Sequence, residues 1–185
     1  MKVTELSLKG IYEITMSPFK DERGLFMRLF DEDVFGQYGL PGNWVQENLS
    51  VNKKKGVLRG LHFILPPHTD GKLIRCSRGR IWDVAVDLRK DSETKGRHLA
   101  YELTENDYKW IYIPKGFAHG FCTLSDRSEL VYKHDTYYQK DSDCGILWSD
   151  PKLKIDWPVE NPLVSEKDQN LMTYSQFVET YVGLP

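Results

Sequence analysis

The sequence predicts an all-β domain, folded as a sandwich or a barrel of many short strands. Strand-like runs recur along the chain, turn residues separate them, and helical periodicity is confined to a few places. Glycines mark many of the turns: Gly24, Gly56, Gly71, Gly79, Gly96 and Gly116. Strands are predicted at 11–16, 25–30, 44–51, 57–63, 72–77, 80–88, 98–103, 109–113, 119–124, 129–135 and 145–148.

Helical signals are few and short. Asp31 is a suitable N-cap for a helix over 31–38, and Gly39 follows it. Residues 165–168 predict a capped turn. From Tyr174 to Val182, apolar residues at 174, 177, 178, 181 and 182 define one helical face, which we expect to serve packing rather than chemistry.

Length and composition restrict the class of protein. The 185 residues suit one domain over 1–185, and 40% hydrophobic with 28% charged residues is ordinary for a globular protein. A net charge of −2 gives no electrostatic basis for binding nucleic acid or an acidic membrane. The polar N-terminus predicts no signal peptide, and no apolar run approaches the length of a membrane span. Three cysteines without metal spacing fit reduced thiols in the cytoplasm.

The run Gly-Val-Leu-Arg-Gly-Leu-His-Phe at 56–63 is the strongest local signal for a site. Strict alternation places Arg59 and His62 on opposite faces of a strand, and a bulge at Gly60 would bring them to the same face. The segment 113–120 delivers a second histidine, His119, after a tight turn. Together with Lys72, these residues predict a polar pocket for an anionic substrate.

A metal site is not predicted. A barrel metal site would need a second ligand shortly after His62, but Phe63 and Ile64 follow it. The spacing from Pro114 to His119 does match the second metal motif of the cupin superfamily, which favours a cupin barrel. The other histidines, His68, His98 and His134, lie in proline-rich or charged surroundings and are interpreted as surface residues.

Acid–base chemistry fits the same residues better. A histidine such as His62 is suited to proton abstraction near neutral pH, provided that a carboxylate orients it. Tyr132 follows a strand pattern that can bring its hydroxyl group inside, where it serves either structure or proton donation. Lys72 and Arg59 are candidates for stabilising developing negative charge or for binding phosphate.

The chain resembles the dTDP-4-dehydrorhamnose 3,5-epimerases, which are cupin-fold nucleotide-sugar epimerases. The matching segments occur in the family's order and cover nearly the whole chain, so that together they are highly specific. They are Asp21–Phe26, Gln46–Ser50, Gly56–His62, Lys72–Arg75, Asp83–Arg89, Ile113–Phe121, Val131–Lys133, Gly145–Pro151, Ile155–Pro158 and Ser165–Asp168. The resemblance implies an antiparallel cupin (jelly-roll) barrel with short C-terminal helices.

The resemblance also implies catalytic roles. His62 corresponds to the general base, Asp168 to the carboxylate that orients it, and Tyr132 to the acid on the opposite face of the sugar. A ketone at C4 acidifies the protons at C3 and C5, and return of a proton from the other face of the enolate inverts the centre. Lys72 is assigned to the C4 oxygen, and the implied mechanism requires no metal and no nicotinamide or other cofactor.

A homodimer is implied as well, in which the N-terminal segment completes the partner's site. Phe19, Arg23 and Phe26 would then reach the nucleotide across the interface, and Tyr138 would stack on the base. The residues that would contact the sugar or the diphosphate are Gln46, Asn48, Arg59, His119 and Lys167.

Three positions depart from the family's pattern. Arg28 replaces a glutamate near the nucleobase; because arginine only donates hydrogen bonds, it would favour cytosine over thymine or uracil, unless it turns to solvent or pairs with a phosphate. Asp143 also replaces a glutamate, and Ile64 replaces a glutamine beside the sugar, where a deoxygenated sugar would suit the loss of a polar group.

Several functions therefore remain open. The principal prediction is epimerisation of a nucleotide-linked 4-keto-6-deoxyhexose at C3, C5 or both. The alternative is inversion of one centre in a CDP-linked 4-keto deoxy or dideoxy sugar. A ketoisomerase is disfavoured by residues 56–62, and a sugar-binding cupin without turnover has no need for His62, Tyr132 and Asp168 together.

Overall fold

Two β-sheets lie face to face in the computed structural model, which describes all 185 residues. The strands are β1 (Lys2–Glu5), β2 (Tyr12–Thr15), β3 (Phe19–Asp21), β4 (Gly24–Phe26), β5 (Gln46–Asn52), β6 (Val57–Ile64), β7 (Lys72–Arg78), β8 (Arg80–Asp87), β9 (His98–Thr104), β10 (Lys109–Ile113), β11 (Phe117–Thr123), β12 (Ser128–His134), β13 (Asp143–Gly145) and β14 (Leu163–Val164). The α-helices are α1 (Glu32–Gln37), α2 (Glu166–Gln169) and α3 (Tyr174–Tyr181).

The strands follow an antiparallel order in both sheets. The first sheet has the order β1-β2-β10-β7-β12-β5, and the second has the order β13-β6-β11-β8-β9. The short strand β14 adds to β6 in parallel, and β3 and β4 form a separate hairpin. The predicted all-β antiparallel architecture is therefore confirmed.

The apolar core fills the space between the two sheets. Ile74 and Leu130 of the first sheet meet Ile81 and Phe121 of the second. Each sheet also packs outward, because α1 covers the first sheet and α3 covers the second. Phe177 of α3 lies edge-on to Phe63. In such pairs the ring centroids are usually about 4.5–7 Å apart. The predicted packing role is confirmed for residues 174, 177, 178 and 181, but is wrong for Val182, which follows the end of α3 and is exposed.

Helix caps place the short helices as the sequence predicts. The side chain of Asp31 accepts a hydrogen bond from the Val34 N–H group at 3.3 Å at the start of α1. Ser165 accepts a hydrogen bond from the Asp168 N–H group at 3.1 Å and so begins α2. This second cap has a consequence for the site, because it fixes the backbone of a predicted catalytic carboxylate.

Some predicted strand boundaries are wrong. The strand expected over 25–30 ends at Phe26, and the carbonyl group of Leu29 instead accepts a hydrogen bond from the Trp110 indole at 2.8 Å. The strand expected at 145–148 lies at Asp143–Gly145. The strands β1, β3 and β14 were not predicted. They are two to four residues long and mostly exposed, so they carry no alternation that a sequence pattern could reveal.

None of the helices has the length and the apolar composition that crossing a membrane requires.

Candidate active site

A cavity of about 710 Å³ opens at one end of the space between the two sheets. Such a volume suits a small-molecule ligand. Most of the predicted site residues line it: Gln46, Asn48, Arg59, His62, Lys72, His119, Tyr132, Tyr138, Asp143, Lys167 and Asp168. Phe121 and Tyr132 border both the cavity and the apolar core, so they separate the polar end of the interior from the apolar end.

A bulge in β6 brings Arg59 and His62 to the cavity together. Arg59 pairs with Phe121 of β11 and His62 pairs with His119, so three steps along β6 oppose two steps along β11. Gly60 lies in this irregular stretch with φ +114°, a conformation that favours glycine. A Cβ atom there would lie 2.7 Å from the Cα atom of Gly120. The predicted bulge is therefore confirmed.

His62 and Asp168 form a hydrogen-bonded pair. His62 Nε2 lies 2.8 Å from Asp168 Oδ1, and the Gly60 N–H group donates to Asp168 Oδ2 at 3.1 Å. Asp168 is only 3% exposed. Burial by itself raises the pKa of this carboxyl, but the hydrogen bond and charge of His62, with the Gly60 N–H group, outweigh burial and hold the pKa below its usual value. The contact with Asp168 uses Nε2, and Nδ1 makes no hydrogen bond within the chain.

Tyr132 lies on the other sheet, in strand β12. The inward face of β12 changes from apolar to polar toward the cavity: Leu130 pairs with Cys76, Tyr132 with Ile74, and His134 with Lys72. Burial raises the pKa of the Tyr132 hydroxyl group, and the positive charge of Arg59 partly opposes the increase. The base candidate and the acid candidate are thus supplied by different sheets.

Lys72 and His134 share one buried carboxylate. Asp70 Oδ1 accepts a hydrogen bond from Lys72 Nζ at 2.9 Å, and its Oδ2 atom lies 2.7 Å from His134 Nδ1. The interpretation of His134 as a surface residue is wrong, since its ring lines the cavity and packs edge-on to Tyr132. The reason is strand periodicity, which places residues 132 and 134 on the same face. His68 and His98 do not line the cavity.

His119 rests on a second buried carboxylate. Its Nε2 atom lies 2.9 Å from Asp83 Oδ2, and the Tyr101 hydroxyl group donates to Asp83 Oδ1 at 2.9 Å. Asp83 is fully buried, and these two contacts give its side chain hydrogen-bond partners where water cannot reach it. Burial, followed by the Asp83 charge, raises the pKa of Tyr101 well above its usual value. Neither Asp83 nor Tyr101 was predicted, although Asp83 shares a strand face with the core residue Ala85.

A hydrogen-bonded trio forms the outer rim. Asp143 Oδ2 accepts from the Tyr138 hydroxyl group at 2.9 Å and from Lys167 Nζ at 2.6 Å. Hydrogen bonding to Asp143 raises the pKa of both donors. The side chain of Gln46 accepts from the Tyr138 N–H group at 3.1 Å, which ties the rim to β5.

Arg59 carries a charge that no carboxylate of the chain neutralises. Its Nε atom donates to the buried Asn52 side chain at 3.0 Å, and the guanidinium group faces the cavity without an ion-pair partner. An exposed, anchored guanidinium is well suited to an anionic ligand. Ile64 lines the same cavity and adds an apolar surface to it.

The N-terminal candidates lie away from the cavity of their own chain. Phe19 and Phe26 face each other across the β3–β4 hairpin and are 68% and 76% exposed. Arg23 pairs with Asp21, and Arg28 pairs with Asp31 while its side chain stays 71% exposed. None of the four lines the cavity. Two apolar rings on an exposed hairpin are a surface that a partner would cover.

No group of three or more histidine, cysteine, aspartate or glutamate side chains is arranged to hold a metal ion.

The fold and the cavity together define a class of protein. An antiparallel barrel presents a histidine–carboxylate pair beside one sheet and a partly buried tyrosine on the other, an arrangement that suits proton transfer on two faces of one bound molecule. The family model described as dTDP-4-dehydrorhamnose 3,5-epimerase matches residues 5–176. The chain belongs to this family of cupin-fold epimerases, which are isomerases.

Individual relatives support this assignment. The dTDP-4-dehydrorhamnose 3,5-epimerase of Shigella flexneri is 46% identical over 171 residues, which cover 92% of this chain and 94% of the relative. A crystal structure of the Bacillus anthracis dTDP-4-dehydrorhamnose 3,5-epimerase with TDP and PPi bound is 41% identical, covers 93% of this chain and 98% of that one, and has a TM-score of 0.90.

Similar proteins differ in the centres they are named for. The dTDP-4-dehydrorhamnose 3-epimerase of Streptomyces niveus is 36% identical over 177 residues, covering 95% of this chain and 85% of the relative. The relatives thus include proteins named for both centres and a protein named for C3 alone.

Proposed function

We propose that this protein inverts C5, and C3 where that centre is a substrate, of a dTDP-linked 4-keto-6-deoxyhexose in deoxysugar biosynthesis. The observation that carries the proposal is that the His62–Asp168 pair and Tyr132 line one cavity from two different sheets. Residues 1–185 act as one domain, and the reaction takes place in the cytoplasm. All its steps are proton transfers, so the proposal includes no cofactor and no metal.

His62 begins the reaction as general base. With Nε2–H donated to Asp168, the lone pair of Nδ1 takes the proton from the carbon next to the C4 ketone. The electron pair of the broken C–H bond moves into the ring and onto the C4 oxygen, which gives an enolate. Asp168 stabilises the imidazolium group that forms, as a buried carboxylate beside a cation does.

Tyr132 completes the inversion as general acid. Its hydroxyl proton passes to the same carbon from the opposite face, and the C4 ketone forms again. A buried phenol with a raised pKa gives up its proton only to a strong base, and an enolate carbon is such a base. Arg59 lies close enough to lessen the cost of the tyrosinate that remains.

The cations of the cavity fit the charges of a nucleotide sugar. Lys72 stabilises the oxygen on which negative charge develops, and Arg59, His119 and Lys167 bind the diphosphate or the sugar. Gln46 and Asn48 supply hydrogen bonds to the sugar from β5. Asp143 holds Tyr138 so that its ring stacks on the base.

A homodimer completes each site. The exposed β3–β4 hairpin brings Phe19, Arg23 and Phe26 over the cavity of the partner subunit, where the rings cover the nucleotide. The absence of these residues from the cavity of their own chain supports this arrangement.

Inversion of a single centre in a CDP-linked 4-keto deoxy sugar is the second candidate. Ile64 favours it in part, because an apolar side chain beside the sugar suits a position without a hydroxyl group. The cytosine preference depends on Arg28, which is exposed and paired with Asp31 in its own chain. We therefore retain dTDP as the nucleotide.

The test is incubation with dTDP- and CDP-linked 4-keto-6-deoxy sugars in deuterium oxide, followed by NMR. We expect deuterium at C5, or at C3 and C5, of the dTDP sugar. We expect His62→Ala to lower this exchange by roughly 10²- to 10⁴-fold, the usual contribution of a general base. His98→Ala is the matched control, since His98 lies outside the cavity. Exchange in His62→Ala at the parent rate would contradict the proposal.

A further inference from the structure

The cluster formed by Asp70, Lys72 and His134 has no assigned role beyond that of Lys72. Its three side chains are charged or titratable and are almost completely removed from water. Asp70 is 6% exposed and Lys72 is 7% exposed. All three line the cavity: Lys72 and His134 pair across the sheet that also carries Tyr132, and Asp70 lies in the loop before β7. A buried charged cluster beside a reacting site is either a structural anchor or a part of the chemistry.

Backbone contacts hold Asp70 in place. The Gly71 N–H group donates to Asp135 Oδ1 at 2.8 Å, and the Thr136 hydroxyl group donates to the Thr69 carbonyl oxygen at 3.1 Å. These bonds tie the loop before β7 to the end of β12. A Cβ atom at Gly71 would lie 2.9 Å from Asp135 Oδ2, so the two segments approach as closely as glycine allows.

We propose that Asp70 is a positioning residue of the epimerisation site, which, with His134 on its second oxygen, holds the ammonium group of Lys72 at the C4 oxygen of the sugar. This inference rests on the proposed function and extends it to two residues. Asp70 itself does not touch the reacting atoms. Its effect reaches them through Lys72.

The hydrogen-bond count supports this role. An ammonium group has three N–H donors, and Asp70 takes one of them, which leaves two for the substrate. Asp70 Oδ1, 2.9 Å from Lys72 Nζ, holds the ammonium group in one orientation at the cavity wall. A charged and directed donor is what a developing enolate oxygen requires.

His134 supports Asp70 from the other side. Its contact with Oδ2 fixes the carboxylate plane, so that Oδ1 stays directed at Lys72. Burial by itself raises the pKa of Asp70, but Lys72 and His134 outweigh it and hold the pKa far below its usual value. The carboxylate therefore remains ionised at the pH at which the enzyme would act. Contact between the rings of His134 and Tyr132 also connects this cluster to the acid candidate.

The test measures kcat and KM for deuterium incorporation in Asp70→Asn, in Lys72→Gln and in the double variant. Asparagine keeps the size of the side chain but removes its charge. We expect Asp70→Asn to lower kcat by roughly 10- to 100-fold with little change in KM, because misplacing a catalytic group by about 1 Å has effects of this size. In the Lys72→Gln background, Asp70→Asn should alter kcat by less than about threefold. If Asp70 acts through Lys72, the effects of the two substitutions are coupled and do not add.

Asp87→Asn is the matched control. Asp87 is a fully buried carboxylate that accepts hydrogen bonds from Arg89, and it lies outside the cavity. We expect it to lower the midpoint of thermal unfolding without lowering kcat. The inference is overturned if Asp70→Asn behaves in the same way, or if its loss of kcat is equally large without Lys72. A parent protein that exchanges no deuterium in either nucleotide sugar removes the proposed function, and this inference with it.

Discussion

Replacing Asp168 with asparagine is expected to remove most of the turnover while leaving the fold intact. The carboxylate accepts two hydrogen bonds, one from His62 and one from the Gly60 N–H group. If the asparagine oxygen accepts from Gly60, its NH₂ group faces His62 Nε2, which must then accept rather than donate. The ring proton moves to Nδ1, and the nitrogen that should take the substrate proton is no longer basic.

The expected loss of kcat is large because the substitution removes the active tautomer of the general base. General bases contribute about 10²- to 10⁴-fold, which corresponds to about 2.7 to 5.4 kcal/mol of activation free energy at 1.36 kcal/mol per tenfold. KM should change little, since Asp168 does not carry the charge that binds the diphosphate. Deuterium incorporation followed by NMR measures kcat directly.

Stability should respond differently and depends on pH. The folded-state pKa of Asp168 is depressed below 3.8, its ordinary value. The contribution of Asp168 to the free energy of unfolding is therefore present above pH 3.8, and it is lost as the pH falls through the lower folded-state pKa. The parent should therefore be more stable than Asp168→Asn near neutral pH, and the difference should shrink below about pH 4. Urea unfolding at several pH values measures it.

Asp150→Asn is the matched control for this prediction. Asp150 is a buried carboxylate that accepts from the backbone of Lys152 and Tyr174, and it does not line the cavity. We expect it to cost stability and to leave kcat unchanged. Turnover by Asp168→Asn within about threefold of the parent would refute the reasoning, because the orientation of His62 would then not depend on the carboxylate.

Four further outcomes are expected. Tyr132→Phe should keep exchange of the first proton but block formation of the inverted product; NMR of both species measures this, and parent-like inversion would show that another group is the acid. Gly60→Ala should destabilise the protein by at least about 2 kcal/mol, because its Cβ atom meets backbone at 2.7 Å with φ +114°, and unchanged urea unfolding would contradict this. Phe26→Asp should shift the dimer toward monomer in sedimentation and lower turnover, whereas an unchanged dimer would remove the hairpin from the interface. Arg28→Glu should leave a preference for dTDP over CDP unchanged in calorimetry, since Arg28 pairs with Asp31; a parent that binds CDP more tightly, with a variant that binds dTDP more tightly, would favour the CDP alternative.

Alternation along the strands made most of the fold predictable. Strand β6 was expected at 57–63 and lies at Val57–Ile64, and β10 was expected and found at 109–113. These strands are long enough to show apolar periodicity and are fixed by packing on both sides. The hairpin strand Phe19–Asp21 is fully exposed, so its pairing depends on the backbone of β4 and leaves no trace in side-chain polarity.

Site residues could be predicted where they lie on strands with a clear sequence pattern. They could be predicted less well where their contacts come from tertiary structure. His62 and Tyr132 lie on strands with clear signals, whereas Asp70 lies in a loop with no period at all. Its contact with Lys72 is local, but its contact with His134 exists only because β7 and β12 are neighbours in the sheet. For His134 a signal was present, since a strand that turns Tyr132 inward must turn His134 inward too.

The β6 irregularity explains why a strand of the core can also be a wall of the active site. Strict alternation would place either Arg59 or His62 among the outward apolar residues that pack under α3, such as Leu61. The extra residue at the bulge lets both polar side chains face the cavity while Leu61 still faces outward. The irregularity is possible because two glycines meet there: a Cβ atom on Gly120 would lie 2.7 Å from the Arg59 carbonyl oxygen. The placement of His62 and Arg59 at the cavity therefore depends on a backbone approach that only glycine permits, and the proposed chemistry requires Gly60 and Gly120 as well as the histidine.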